Sequence, residues 1–129
     1  MKNKNEHSGI LKGIYSQLKL LFDSSDQGIY IYVDDTHKIC NKKFAVMLGY
    51  KDAQEWSNVK ENFPTTFVMP KSQRALITAF QNGMSKGIGS SFPVEWKKKS
   101  GSAVKTNVIL APIIFEDHII ALHFVSKAK

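Results

Sequence analysis

Hydrophobic residues follow two spacings along this chain, one typical of helices and one typical of strands. The apolar positions from Ile10 through Ile14 and Leu18 to Leu21 lie on one face of a helix, so we predict an amphipathic helix over 10–23. The polar residues 1–9 before it are predicted to be flexible. The strand-prone run 28–33 follows, and Lys38-Ile39-Cys40 completes a predicted hairpin.

Further helices and three further strands are predicted downstream. Phe44 and Met47 repeat at helical spacing, and a second amphipathic helix begins after Pro70 and is predicted to end at Asn82-Gly83. Alternating or continuous apolar positions predict strands over 92–98, 104–110 and 119–125. Because runs of strands are separated from runs of helices, the order predicts an α+β fold with an antiparallel sheet.

Several short segments, in their order and spacing, resemble a PAS domain. They are Gly28 to Asp34, Asn41, Phe44 to Tyr50, Phe67-Val68-Met69-Pro70, Asn82-Gly83 and Lys99-Ser100-Gly101. The resemblance covers about residues 20–125. It implies a PAS-like sensor domain over 24–126, with a five-stranded antiparallel sheet, helices on one face and a flanking N-terminal helix. It also implies a regulatory role in signal transduction, as in two-component systems.

The resemblance implies a pocket between the sheet and the helices, and alternation supplies its candidate lining. On the first strand, the aliphatic face resembles the inward face of the family and the two tyrosines share the other. The predicted lining is Ile31, Val33, Phe44, Met47, Phe80, Val94, Trp96, Thr106, Val108 and His123. Such a lining is largely apolar with a few polar points, which is typical of small-molecule sites. The alternative is a filled core without a cavity.

The face of the first helix needs an apolar cover. It can fold back on the outer face of its own sheet, or it can pair with a second copy. We predict a homodimer through Ile10, Ile14, Leu18, Leu21, Tyr30, Tyr32, Ile109, Leu122 and Phe124. Two functions stay open: a domain that senses a small apolar ligand, and a ligand-free dimerisation module.

Charge and composition change this interpretation little. The 129 residues carry 18 Lys and Arg against 11 Asp and Glu, a net charge of +7. The densest cluster, Lys97-Lys98-Lys99, leads into a predicted turn, and a single arginine, Arg74, disfavours a nucleic-acid groove. No apolar run approaches the roughly 20 residues of a membrane span. The lone Cys40 excludes an internal disulfide, and a cytoplasmic location is expected.

Known cofactors of the family do not match the chain. Haem-binding members carry a histidine on the long helix, and residues 71–86 contain none. Flavin photosensors carry Asn-Cys-Arg where this chain reads Asn62-Phe63-Pro64-Thr65. The resemblance therefore disfavours haem and photoreactive flavin, and it implies no specific ligand.

Metal binding and catalysis are not predicted either. The four histidines are scattered along the chain, so no spacing gathers them on one element. Asp34-Asp35 and Glu116-Asp117 lie at predicted turns, where solvated acids are common, and Cys40 has no neighbouring histidine. We therefore expect a non-enzyme that forms a homodimer, does not bind a membrane, and acts on an unidentified output domain or partner. Nucleic-acid binding is a third hypothesis, which the sequence disfavours.

Overall fold

A five-stranded antiparallel sheet divides the protein into two layers of helices. The computed structural model describes residues 4–128. Its elements in chain order are α1 Lys4–Ser24, β1 Gly28–Asp34, β2 His37–Cys40, α2 Lys42–Met47, α3 Ala53–Ser57, α4 Phe63–Phe67, α5 Pro70–Lys86, β3 Ser90–Lys97, β4 Ala103–Phe115 and β5 His118–Lys127. The strand order is β2-β1-β5-β4-β3, with every neighbouring pair antiparallel. The predicted α+β class and five-stranded antiparallel sheet are confirmed.

Helices cover both faces of the sheet. The inner face, which α2 to α5 cover, packs a cluster that includes Trp56, Phe67 and Trp96. The outer face lies beneath α1, where Ile10 and Ile14 pack against strand residues. Both faces of β1 and β5 are covered, so four consecutive residues of each strand are buried.

Helix α1 is longer than the sequence pattern predicts. It begins at Lys4, so residues 4–9 of the segment predicted to be flexible are helical, and residues 1–3 lie outside the described part. Within residues 4–128, no helix combines the length and the apolar character that crossing a membrane requires.

Helix α5 does not end at Asn82-Gly83, and that prediction is wrong. It continues to Lys86 and ends at Gly87, whose φ of 66° is the left-handed conformation of a helix C-cap. Gly83 is instead a point of close packing, because a Cβ there would lie 2.9 Å from Cδ2 of Leu110 on β4. Glycine at this position allows α5 to approach the sheet.

The side chain of Asn41 joins three elements. Its Oδ1 accepts hydrogen bonds from the backbone N–H of Ile29 (2.9 Å) and of Phe44 (3.0 Å), the second of which caps α2. Its Nδ2 donates to the carbonyl oxygens of Phe22 (3.2 Å) and Gln27 (3.0 Å). The end of α1, the beginning of β1 and the beginning of α2 are therefore fixed to one buried amide.

Candidate functional site

Tyr30 lies at the centre of an aromatic cluster on the inner face. Its ring stacks on His123, with ring centroids 4.0 Å apart and ring planes 7° from parallel. It also stacks on Phe44 at 4.9 Å and meets the edge of Trp96 at 5.5 Å. Offset and edge-to-face contacts of this kind stabilise aromatic cores beyond the area they bury.

The prediction of which β1 face points inward is wrong. Tyr30 and Tyr32 face the helices of the inner layer, whereas Ile31 and Val33 lie on the outer face with α1. The register explains the placement: Tyr30 pairs with His123 on β5, and directly paired residues of antiparallel strands share a face. Since His123 points inward, Tyr30 does as well.

A cavity of about 300 Å³ opens between the inner face of the sheet and helices α4 and α5. Its lining is mostly apolar and aromatic, with a few polar groups: Tyr30, Tyr32, Asp35, Asn62, Phe63, Pro64, Leu76, Ile77, Phe80, Gln81 and His123. This volume is at the lower end of the range for small-molecule pockets.

Two polar atoms of the cavity-lining residues have no hydrogen-bond partner. Within residues 4–128, the hydroxyl oxygen of Tyr30 and Nδ1 of His123 are buried and unpaired. Trp56 Nε1 and Ser90 Oγ are also unpaired, but neither residue lines the cavity. A buried polar group without a partner costs about 1–3 kcal/mol, so native structures rarely retain one without a reason.

Burial keeps both unpaired side chains neutral. It lowers the pKa of His123 to about 3, while weaker contacts with the backbone of Tyr30 and Ala121 act in the opposite direction. Burial also raises the pKa of the Tyr30 phenol well above its ordinary value. At neutral pH, the cavity-lining residues His123 and Tyr30 therefore carry a neutral imidazole and a protonated hydroxyl.

Acidic and amide side chains occupy the cavity mouth. The hydroxyl of Tyr32 donates to Oδ1 of Asp35 at 3.0 Å, and the same oxygen accepts from the backbone N–H of Phe63 at 3.0 Å. These bonds fix Tyr32 and the beginning of α4. Burial is the main cause that raises the pKa of Tyr32, followed by its hydrogen bond to Asp35.

The other predicted pocket residues lie on the inner face without lining the cavity. Trp96 Nε1 donates to Oγ1 of Thr106 at 2.8 Å, and that hydroxyl donates to the carbonyl of Val94 at 2.9 Å. The two polar points predicted beside His123 thus satisfy each other. Six of the predicted lining residues fill the core instead: Phe44, Met47, Val94, Trp96, Thr106 and Val108. Phe80 and His123 do line the cavity.

The residues predicted for a dimer interface separate into three groups. Tyr30 and Tyr32 belong to the inner face, which corrects their predicted position. Ile10, Ile14, Leu18, Leu122 and Phe124 pack between α1 and the outer face of the same chain. Leu21 and Ile109 stay exposed. The apolar face of α1 was predicted to pack either on its own sheet or against a second copy, and in the structure it packs on its own sheet. The homodimer itself stays a prediction.

Sequence reasoning did not find the buried lysine Lys38. Its ammonium donates to the carbonyls of Asp35 (3.1 Å), Ser57 (3.4 Å) and Val59, and it lies over the ring of Trp56. Burial lowers its pKa to about 8. The alternation of β2 places Lys38 on the inner side, but nothing in the local sequence signals the carbonyl oxygens that surround it.

Comparison with known proteins identifies the fold. No protein-family model and no curated protein matches the chain. Among solved structures, the PAS domain of an HTR-like protein from Haloarcula marismortui is 20% identical, with a TM-score of 0.65 over 97% of this chain and 100% of that one. A sensory box histidine kinase/response regulator from Burkholderia thailandensis is 13% identical, with a TM-score of 0.62 over 88% of this chain and 84% of that one.

A third similar structure is a LOV protein from Rhodobacter sphaeroides. It is 12% identical, with a TM-score of 0.67 over 90% of this chain and 67% of that one. At such identities the likeness establishes the fold alone. The resemblance drawn from the sequence is thus confirmed at the level of the fold.

Proposed function

We propose that this chain, which has the PAS fold, is a sensory signalling domain that binds a small, largely apolar molecule in the cavity beside Tyr30 and His123. The sensory role is supported by the fold, which the Burkholderia sensory box histidine kinase/response regulator shares. The binding role is supported by one observation above all. Two residues that line an apolar cavity, Tyr30 and His123, each have a buried polar atom without a hydrogen-bond partner.

The chemistry of the cavity defines the class of ligand. Since the Tyr30 hydroxyl can donate and accept and neutral His123 can do the same through its tautomers, an uncharged ligand with a hydroxyl, carbonyl or ring nitrogen fits best. Phe63 and Phe80 offer aromatic surface around it. An anionic ligand would lose hydration in this interior without meeting a positive charge among the lining residues.

Ligand screening tests the proposal directly. We expect small uncharged aromatic compounds that carry one hydrogen-bonding group, with indole, phenol and quinoline as the first probes, to raise the melting temperature of the untagged protein. Native mass spectrometry and an absorbance scan of the protein as isolated would identify a molecule that is already bound.

Two variants locate the binding. Tyr30→Phe removes only the unpaired hydroxyl, and we expect it to weaken a hit about five- to tenfold, the net value of one hydrogen bond. Val46→Ala, on the exposed side of α2, is the matched control and should leave the affinity unchanged. If no compound binds and no molecule co-purifies, the sensing proposal fails, and the ligand-free module is favoured. Equal weakening by both variants would contradict the assignment to this cavity.

A further inference from the structure

Three side chains from distant parts of the chain meet at the first turn of the sheet. His7 lies near the beginning of α1, Asp34 ends β1, and His37 begins β2. We propose that His7, Asp34 and His37 together bind a divalent transition-metal ion such as Zn²⁺. This site is separate from the cavity and does not depend on the proposed function.

The geometry already brings the ligand atoms together. Nδ1 of His7 lies 2.6 Å from Oδ2 of Asp34, and Nδ1 of His37 lies 2.8 Å from Oδ1 of the same carboxylate. One ligand atom from each residue lies within 4.8 Å of the other two. An ion with bonds of about 2.0–2.2 Å holds tetrahedral ligands roughly 3.4 Å apart. Binding therefore requires each contacting pair to separate by less than about 1 Å, and any ligand atoms as far apart as 4.8 Å to approach by about 1.4 Å.

Supporting hydrogen bonds hold the carboxylate of Asp34 in place. The backbone N–H and hydroxyl of Thr36 each donate to Oδ1 of Asp34 at 2.9 Å. The Thr36 hydroxyl also lies 2.9 Å from Nδ1 of His37, the proposed ligand atom, so this contact has to be released when the ion binds. The hydrogen bonds to Asp34 orient the carboxylate before an ion arrives. All three side chains are half-buried, so the site is open to an ion and to a water molecule as a further ligand.

The donor set selects the class of metal. Two imidazoles and one carboxylate suit zinc, nickel, copper and iron, whereas magnesium and calcium prefer oxygen ligands throughout. The ammonium of Lys60, which donates to the Thr36 carbonyl at 2.8 Å, adds nearby positive charge. That charge disfavours cations held only by electrostatic attraction, so imidazole–metal bonds must supply the affinity.

An ion at this position would link α1 to the sheet. Helix α1 contributes His7, whereas the β1–β2 hairpin contributes the other two ligands, Asp34 and His37. In the metal-free form, hydrogen bonds to Asp34 make the same connection more weakly. Metal binding would therefore stabilise the docked position of α1 at its N-terminal end.

The test is a Zn²⁺ titration of the untagged, EDTA-treated full chain by isothermal titration calorimetry. We expect one ion per chain in the wild type. His7→Ala and His37→Ala should each weaken binding by about tenfold or more, since loss of even an outer-shell partner costs 10- to 100-fold. His118→Ala is the matched control, because His118 lies 3.7 Å from Glu6 and outside the cluster.

A measurement on the wild type avoids dependence on the folding of the variants. Long-range ¹H–¹⁵N spectra should show the imidazole nitrogens of His7 and His37 shifting with Zn²⁺, while those of His118 and His123 stay in place. The proposal is overturned if the wild type binds no Zn²⁺. It is also overturned if other histidines shift instead, or if folded His7→Ala and His37→Ala bind Zn²⁺ as tightly as His118→Ala.

Discussion

At the scale of single residues, burial changes the acid–base chemistry of His123. Its imidazole is buried against the ring of Tyr30, and burial lowers its pKa to about 3 from an ordinary value of 6.5. The unfolded chain therefore takes up a proton at a pH where the folded chain does not. This difference makes stability depend on pH in a direction that can be stated in advance.

Stability should fall as the pH drops below about 6.5 and should continue to fall toward about 3, because only the unfolded state binds the proton in that window. The expected slope is about 1.4 kcal/mol per pH unit, and no contribution from His123 remains above pH 6.5. Urea unfolding of the wild type and His123→Phe between pH 8 and 4 measures it. Parallel stability curves for the two proteins would contradict the prediction.

The sequence reveals the polar residues of the inner face but not which of them are free to bind. Thr106, Trp96 and His123 look equivalent in the alternation pattern. Only the register of β3 with β4 and the packing around it show that Trp96 donates to Thr106, so that His123 is left unpaired. Hydrogen-bond partners depend on distances across strands, which no single stretch of sequence contains.

At the scale of elements, close approach between β1 and α2 depends on Gly28. A Cβ at this position would lie 3.1 Å from Cβ and 3.2 Å from Cα of Phe44. Phe44 cannot move away easily, since Asn41 caps the helix that carries it. A methyl group at this position would therefore force β1 and α2 apart by a few tenths of an ångström.

Gly28→Ala should destabilise the protein by about 1–3 kcal/mol through overpacking. Gly9→Ala is the matched control: Gly9 is exposed in α1, and a Cβ there would meet nothing within 4 Å. Because alanine favours helix over glycine, Gly9→Ala should stabilise by about 0.5–1 kcal/mol. Urea unfolding compares the two, and a shift of both variants in the same direction would exclude the packing argument.

The end of α5 and the turn between β4 and β5 differ in how far local sequence determines them. The turn residues Asn82-Gly83 resemble a helix end, yet α5 continues to Lys86, and Gly83 instead allows the helix to approach Leu110 closely. In contrast, Glu116 and Asp117 adopt positive φ values of 49° and 67° and form the turn that the sequence predicts between β4 and β5. A turn depends mainly on local chemistry, whereas a glycine inside a helix reflects its neighbours.

At the scale of the whole molecule, one sheet supports two hydrophobic clusters. Alternation along β1 identifies two apolar faces, but it does not say which helices cover each, because both faces are buried. That ambiguity reversed the predicted positions of Tyr30 and Ile31. The cluster of His7, Asp34 and His37 was not predicted from the sequence for a related reason, since the hairpin and α1 meet only in the folded chain.

Because the two clusters share the sheet, α1 and the inner core should unfold together. Ile14 is 1% exposed, and Ile14→Ala should cost about 2–5 kcal/mol, whereas Leu20→Ala, at 83% exposure, should change stability by less than about 0.5 kcal/mol. Tryptophan fluorescence reports Trp56 and Trp96 in the inner core, and circular dichroism reports helix content. If Ile14→Ala shifts only the circular dichroism transition, α1 unfolds independently and the prediction is wrong.

The buried amide of Asn41 restrains the orientation of α1 relative to the rest of the domain. The hydrogen bond from Nδ2 to the Phe22 carbonyl would have to break before α1 could swing relative to β1 and α2, which the same side chain joins to each other. Few side chains offer two acceptor positions and two donors at this length: aspartate lacks the donors and glutamine is longer. A displacement of α2 would therefore be transmitted through Asn41 to α1 and would change the angle between α1 and the sheet.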